Sequence, residues 1–280
     1  MKSNTDFKPG QTFGLLLVGD PKTGKTRVAM SFPKPYFLDF DRNMDSAVKV
    51  EKNKEFWYDN PYVTDDGKPI DDKDLWEINI NQRLKAALKH PDIQTIVIDS
   101  LSTLAQALVY HIAHSTSRME GAKQVPVGSE LLADGNVRPG EKGVIGGLLR
   151  RQDYMIFQTM MTRLVAYMRG FPKLIIWTAH QKIREGDLSS GGNLTPGVKQ
   201  FRINMPGALA DSFGGFYSDV WGTYAVPGEP SKYFLQIAPS TRHTDLGTSL
   251  ANMPAKIDCT GKLPSQIWAE LGPKINGTKP

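Results

Sequence analysis

The chain alternates between short, wholly apolar runs and longer stretches of helical period. "FGLLLVGD" places four apolar residues in a row, Leu15–Val18, and then stops at glycine. "YFLDF" (Tyr36–Phe40), "TIVIDS" (Thr95–Ser100) and "KLIIWTAHQK" (from Lys173, ending near His180) have the same form, an apolar core closed by polar residues. Runs that are apolar at successive positions suit strands covered on both faces, which predicts a mainly parallel sheet. "KTRVAMSF" and Tyr154–Arg169 read as helices, the Met, Leu and aromatic residues of the second belonging to the core. Further on, "FYSDVWGTYAV" and "SKYFLQIAPS" flank the turn "PGEP" and predict an antiparallel hairpin. "LPSQIWAEL" reads as a short helix packing Ile267, Trp268 and Leu271 on the core. Together these elements describe an α/β fold: a mainly parallel twisted sheet flanked by helices, with a C-terminal antiparallel hairpin.

Composition narrows the setting. At 280 residues and 40% apolar content, the chain can bury one large core. The expected organisation is a flexible tail over 1–10, a core over 11–271 and a second flexible tail over 272–280. Two polar, glycine-containing stretches interrupt the pattern, Ser117–Gly147 and Glu185–Pro206, and loops of that length are often functional. No apolar run approaches the roughly 20 residues of a membrane span, and the polar N-terminus lacks a secretory h-region. A single cysteine, Cys259, excludes an intrachain disulfide framework and fits a reducing cytoplasm. The formal net charge of +5 permits nucleic-acid binding without demonstrating it.

"GDPKTGKT" matches G-x-x-x-x-G-K-[ST] over Gly19, Asp20, Pro21, Lys22, Thr23, Gly24, Lys25 and Thr26. Glycines let the backbone turn with its N–H groups inward around a phosphate, and the following helix, beginning at Lys25–Arg27, offers its positive end. Lys25 is expected to reach the β- and γ-phosphate oxygens of ATP, and Thr26 to ligate Mg²⁺. Such a loop needs an acid at the end of a neighbouring strand. Asp99, closing "TIVIDS", is the candidate that holds Mg²⁺. Asp39 and Asp41 close "YFLDF"; strand alternation sends both to one face, and Asp41 is the candidate for polarising the attacking water. His180, at the end of its strand, is expected beside the γ-phosphate, because ligands of open parallel sheets lie beyond the carboxyl ends of the strands. "HIAH" spaces His111 and His114 for a metal, but no third ligand accompanies them.

The order of these features resembles the RecA-like recombinase ATPases, and more narrowly the compact phage versions that act as ATP-dependent single-strand annealing proteins. The similarity runs from about Thr12 to Ser249. "YFLDFDRNMD" resembles the strand ending in the family's catalytic glutamate, with Asp41 at that position one methylene shorter. "TIVIDSLSTL" resembles the Walker B strand, and "LIIWTAHQK" the strand ending in a γ-phosphate sensor, usually glutamine and here His180. The family places two mobile loops in its DNA channel, and this chain has a long loop at each position. Ser117–Arg151 carries Arg118, Lys123, Arg138, Lys142, Arg150 and Arg151 against four acids. Gln181–Arg202 carries Lys182, Arg184, Lys199 and Arg202 against two.

What the resemblance implies is ATP-controlled binding and annealing of single-stranded DNA in phage recombination or replication, in the host bacterial cytoplasm. The implied assembly is a homo-oligomer, ring or filament, with ATP between subunits and Arg242 of "STRHTDLG" reaching a neighbour's nucleotide. A single-stranded DNA-binding protein is a candidate further partner. The alternative is a helicase-loader or DNA-packaging ATPase working mainly on a protein; a small-molecule kinase would need lid arginines that are not identifiable.

Overall fold

In the first strand, β1 (Gly14–Gly19), Leu15 and Leu17 enter one hydrophobic core while Leu16 and Val18 enter another, and all four are buried. A strand apolar at every position needs cover on both faces, and the sheet around β1 has it. The structure, a computed structural model, describes residues 13–44, 54–71, 74–115, 153–184, 200–206, 209–240 and 245–276, with the shorter pieces 117–120, 123–126, 130–131, 133–134 and 136–138. After β1 come α1 (Lys25–Ser31), β2 (Pro35–Asp39), β3 (Trp57–Asp59), the π-wound helix α2 (Glu77–Leu84), α3 (Lys85–Lys89), β4 (Thr95–Asp99) and α4 (Leu101–Ser115). Four short strands follow, β5 (Ser117–Glu120), β6 (Lys123–Pro126), β7 (Glu130–Leu131) and β8 (Val137–Arg138). The chain continues through α5 (Asp153–Arg169), β9 (Leu174–Arg184), β10 (Gln200–Ile203), α6 (Leu209–Ser212), β11 (Asp219–Val226), β12 (Lys232–Gln236), β13 (Lys256–Asp258) and α7 (Pro264–Ile275).

The main sheet runs β13-β12-β11-β1-β9-β4-β2-β3, with β10 paired to β9. From β11 to β3 every pairing is parallel; β12 and β13 add antiparallel strands at one edge, as the hairpin sequence predicts. One core lies under α4 and α5, where Ile96, Ile98, Ile175 and Trp177 meet Leu108, Phe157 and Met161. The other lies under α1 and α7, where Val97, Leu174 and Ile176 share a cluster with Phe32, Ile267 and Leu271. Strand β9 sits between β1 and β4, so the ends of the three strands bring the phosphate loop, His180 and Asp99 together. Among the described residues no helix is long and apolar enough to cross a membrane.

Three sequence expectations are corrected. Gln181–Arg202 is not loop throughout: β9 continues to Arg184 and pairs antiparallel with β10, Gln181 opposite Ile203 and Lys182 opposite Arg202. A ladder is made by backbone groups, so the polar, glycine-containing character and the family's loop position that suggested a loop do not prevent one. Ser117–Arg151 likewise contains the hairpin pairs β5–β6 and β7–β8, in which Arg138 stands opposite Glu130. Finally, the last helix does not stop at Leu271 but continues through Gly272 and Pro273 to Ile275, which is buried.

Gly272 explains how the helix holds past that point. A Cβ there would lie 2.6 Å from Cε2 and 2.8 Å from Nε1 of Trp268, whose ring packs on Phe32 with centroids 5.0 Å apart. In an open helix Gly→Ala stabilises by about 1 kcal/mol; here the overlap should reverse the sign, since overpacking costs about 1–3 kcal/mol. Gly272→Ala is expected to lower Tm, and the same change on a Trp268→Ala background to raise it, both read by thermal melts. A higher Tm for Gly272→Ala alone would contradict this packing.

Candidate active site

The phosphate loop leaves β1 at Gly19 and enters α1 at Lys25. Two positions need glycine. A Cβ on Gly19 would lie 2.4 Å from the carbonyl oxygen of Thr223 on β11, and Gly24 has φ 93°, in the left-handed region. Lys22 shares that region at φ 65°. Asp20, Pro21 and Lys22 form the exposed crest, while Thr23 turns inward. Its Oγ1 lies 2.7 Å from Thr223 Oγ1 and donates to the carbonyl of Asp20 (2.8 Å), tying the loop to β11 and to itself.

Lys25 is buried at 5% exposure, and its Nζ donates to the carbonyls of Gly19 (3.0 Å) and Asp20 (2.9 Å). Burial lowers its pKa, an effect that the carboxylates of Asp99, Asp41 and Asp20 partly offset. The ammonium therefore rests on weak neutral acceptors of its own loop. A phosphate would offer it a far stronger partner.

Asp99, at the end of β4, is almost fully buried and accepts hydrogen bonds from Thr26 Oγ1 (2.7 Å) and Thr178 Oγ1. Burial pushes its carboxyl up to about 6 despite those two hydroxyls, and Asp41 and Asp39 add to the rise. Thr26 and Asp99 thus present two hard oxygens side by side. Among the described residues no group of three or more His, Cys, Asp or Glu side chains is placed to hold a metal. A pair of oxygens beside a phosphate loop fits Mg²⁺, which keeps most of its waters and takes substrate oxygens for the rest. His111, by contrast, stacks on Trp76 with centroids 6.1 Å apart.

Asp39 and Asp41 do not share a face as alternation predicts. Strand β2 ends at Asp39, so the chain turns before Asp41 is reached. The Asp39 carboxylate accepts the backbone N–H groups of Asn43 (3.1 Å) and Met44 (2.9 Å), and serves its own following segment. Asp41 instead meets His180: its Oδ2 lies 2.7 Å from His180 Nε2, and its Oδ1 accepts Ser100 Oγ (2.8 Å) and Thr103 Oγ1 (2.5 Å). Burial raises the Asp41 pKa, but the hydrogen bonds from His180, Thr103 and Ser100 outweigh it and hold the carboxyl below its ordinary value.

Lys25, Thr26, Asp41, Asp99, Thr103 and His180 line a cavity of about 710 Å³. Its far wall is apolar and comes from the C-terminal third of the chain: Tyr233, Phe234, Cys259, Pro264 and Ile267. Sequence reading did not find this wall, because no motif links β12, β13 and α7 to a loop more than two hundred residues earlier. Arg27 lies in the cavity lining and its guanidinium donates to the carbonyl of Lys262, bracing α1 against the segment before α7. Arg138 is placed only as a backbone position on β8, and Arg202 as one on β10. Lys142, Arg150, Arg151, Lys199 and Arg242 lie outside the described residues.

A family model described as an AAA domain matches residues 13–216. No curated protein matches the chain. Among solved structures, the flagellar accessory protein FlaH from Methanocaldococcus jannaschii is similar at 12% identity, over 90% of this chain and 85% of that one, with a TM-score of 0.37. A KaiC-like protein from Pyrococcus horikoshii OT3 is similar at 14% identity, over 81% of this chain and 79% of that one, with a TM-score of 0.39. The sheet order, with β9 between the phosphate-loop strand and the Asp99 strand, is that of the RecA-like P-loop NTPase fold.

The raised pKa of Asp99 gives a stability signature. Between about pH 4 and pH 6 the folded protein keeps a proton on this carboxyl that the unfolded chain has lost, so Asp99 makes stability fall as pH rises through that window. Above it the full cost is present, on the order of 3 kcal/mol. Asp99→Asn is therefore expected to raise Tm of the metal-free protein at pH 7.5, with the difference shrinking towards pH 4, and to weaken the further stabilisation that Mg²⁺ with ATP gives. Thermal melts in chelator and in Mg²⁺ with ATP check both; a lower Tm for the variant in chelator at pH 7.5 would contradict the assignment.

Proposed function

The chain belongs to the AAA-domain family, and from that premise and its RecA-like P-loop ATPase fold we propose that it is an ATP-dependent single-stranded DNA-binding and annealing protein. The reading places it in phage recombination or replication, in the cytoplasm of a bacterial host, as a homo-oligomer with ATP at the subunit interfaces. Lys25 neutralises the β- and γ-phosphates, the phosphate-loop backbone cradles them, and Thr26 and Asp99 hold Mg²⁺. Mg²⁺ held by Thr26 and Asp99 would supply charge neutralisation at the phosphate oxygens. The nucleobase lies against the wall of Tyr233 and Phe234.

One observation carries the link to DNA. Strand β9 runs unbroken from Thr178, which touches Asp99, through His180 at the phosphate site and on to Arg184. Its outer part forms an antiparallel ribbon with β10, and that ribbon bears Lys182, Arg184 and Arg202. In an antiparallel ladder like charges directly opposite are destabilising, and Lys182 stands opposite Arg202. The nucleotide site and the basic ribbon thus belong to one strand, so a change at the γ-phosphate reaches the ribbon with no intermediate element. Lys199 and Arg202 then contact DNA phosphates, with Arg138, Lys142, Arg150 and Arg151 from the first loop region. Arg242 acts on a neighbouring subunit's ATP, and a single-stranded DNA-binding protein is the proposed accessory partner.

Steady-state ATP hydrolysis with and without single-stranded DNA tests the reading. Oligonucleotide is expected to raise turnover, and ATP to change DNA affinity and annealing rate. Lys199→Ala and Arg202→Ala should each flatten the salt dependence of DNA binding by about 0.7 log unit per log unit of salt, the value of one phosphate contact on a single strand. If ATP changed neither DNA affinity nor annealing rate, the annealing role would be wrong; stimulation by a protein partner alone would favour a loader.

A further inference from the structure

The hydrogen-bond polarity around His180 fixes which ring nitrogen carries the proton. Nδ1 lies 3.4 Å from Lys25 Nζ. An ammonium only donates, so Nδ1 faces it as a lone pair. Nε2 lies 2.7 Å from Asp41 Oδ2, and a carboxylate only accepts, so Nε2 carries the hydrogen. The ring is further set by its own backbone, whose N–H donates to Ser102 Oγ at 3.1 Å. Asp41 has no such open side. One oxygen is taken by His180, the other by Ser100 and Thr103, and the side chain is 10% exposed against 23% for His180.

From this geometry we propose that His180 Nδ1, and not the Asp41 carboxylate, takes the proton from the water that attacks the γ-phosphate, with Asp41 as a positioning residue. The inference rests on the ATPase reading above. Asp41 holds the Nε2–H tautomer and stabilises the imidazolium that forms, as a buried carboxylate does for a histidine general base elsewhere. Lys25 now blocks Nδ1, but its other partners are two backbone carbonyls, and moving to a phosphate frees the lone pair. Water oxygen then bonds to the γ-phosphorus as the bond from phosphorus to the β,γ-bridging oxygen breaks. The bond's electron pair leaves with ADP, and the water proton moves to Nδ1. Release of that proton to solvent restores the dyad.

Among the described residues, the charged groups in contact with the imidazole are Lys25 from α1 and Asp41 from the turn after β2, and Asp99 at the end of β4 lines the same cavity. Ser102 from α4 and the backbone of Asn204 after β10 complete its contacts, the latter donating to the His180 carbonyl at 2.7 Å.

Single-turnover hydrolysis, with protein in excess over ATP and saturating Mg²⁺, is measured from pH 5.5 to 8.5 for the wild type, His180→Gln, Asp41→Asn and the double variant. The wild-type rate is expected to rise with pH through an imidazole-range inflection. His180→Gln should lose that inflection and about 10²–10⁴-fold in rate, while ATP affinity stays within about threefold. Asp41→Asn should keep the inflection, moved to lower pH, and lose less rate. The double variant should be no slower than His180→Gln, because the two residues act as one unit. Independently of turnover, ¹⁵N spectra of histidine-labelled wild-type protein, with His180 assigned by its loss in His180→Gln, should report the Nε2–H tautomer. A flat wild-type profile overturns the proposal, as does the opposite tautomer. A His180→Gln variant within threefold of wild type beside an inactive Asp41→Asn returns the base to Asp41. Failure of the wild type to bind ATP would instead overturn the ATPase reading itself.

Discussion

The rest of the site depends on a buried ammonium group whose direct neighbours are two loop carbonyl oxygens and His180 Nδ1, with no carboxylate paired to it. Lys25 comes off a short helix onto the ends of β1 and β9, and accepts solvation from Gly19 and Asp20 of its own loop. Two carboxylates, Asp41 and Asp99, stand close enough to favour its charge without pairing with it directly. The ammonium and both carboxylates line the same cavity. It suits a polyphosphate in front and a cation between the phosphate and Asp99. The collective burial disfavours every one of these charges, so the metal-free protein carries an unfavourable term that ligand binding removes.

Sheet order is what makes the arrangement possible. Because β9 lies between β1 and β4, Thr178 reaches Asp99 and His180 reaches both Lys25 and Asp41. The same strand extends beyond the sheet to pair with β10.

Much of this was legible in the sequence wherever a signal is local. The phosphate loop was, because glycine at 19 and 24 answers steric demands of the loop itself, and Lys25 and Thr26 follow at fixed spacing. Asp99 was, because a wholly apolar strand must end where a charge can reach the cavity. Asp39 and Asp41 were misread as a pair because alternation holds only while a strand lasts, and β2 ends at Asp39. The ribbon of β9 and β10 was hidden because its polar, glycine-containing stretch reads as loop, whereas pairing there is a backbone matter. The apolar wall and the Thr23–Thr223 tie were out of reach, because residues far apart in sequence meet only once the sheet has formed. Gly272 was read as the start of a tail from its glycine–proline signal, although its missing Cβ makes room for Trp268.

The account stands on Lys25 leaving its loop carbonyls for a nucleotide phosphate, and calorimetric titration of ATP with Mg²⁺ into the wild type and Lys25→Ala tests this most directly. One nucleotide per subunit is expected for the wild type, with affinity at least about tenfold weaker in the variant, as loss of a charge-assisted contact worth about 1.5–3 kcal/mol requires. Equal affinities for the two proteins, or no binding to the wild type, would contradict it.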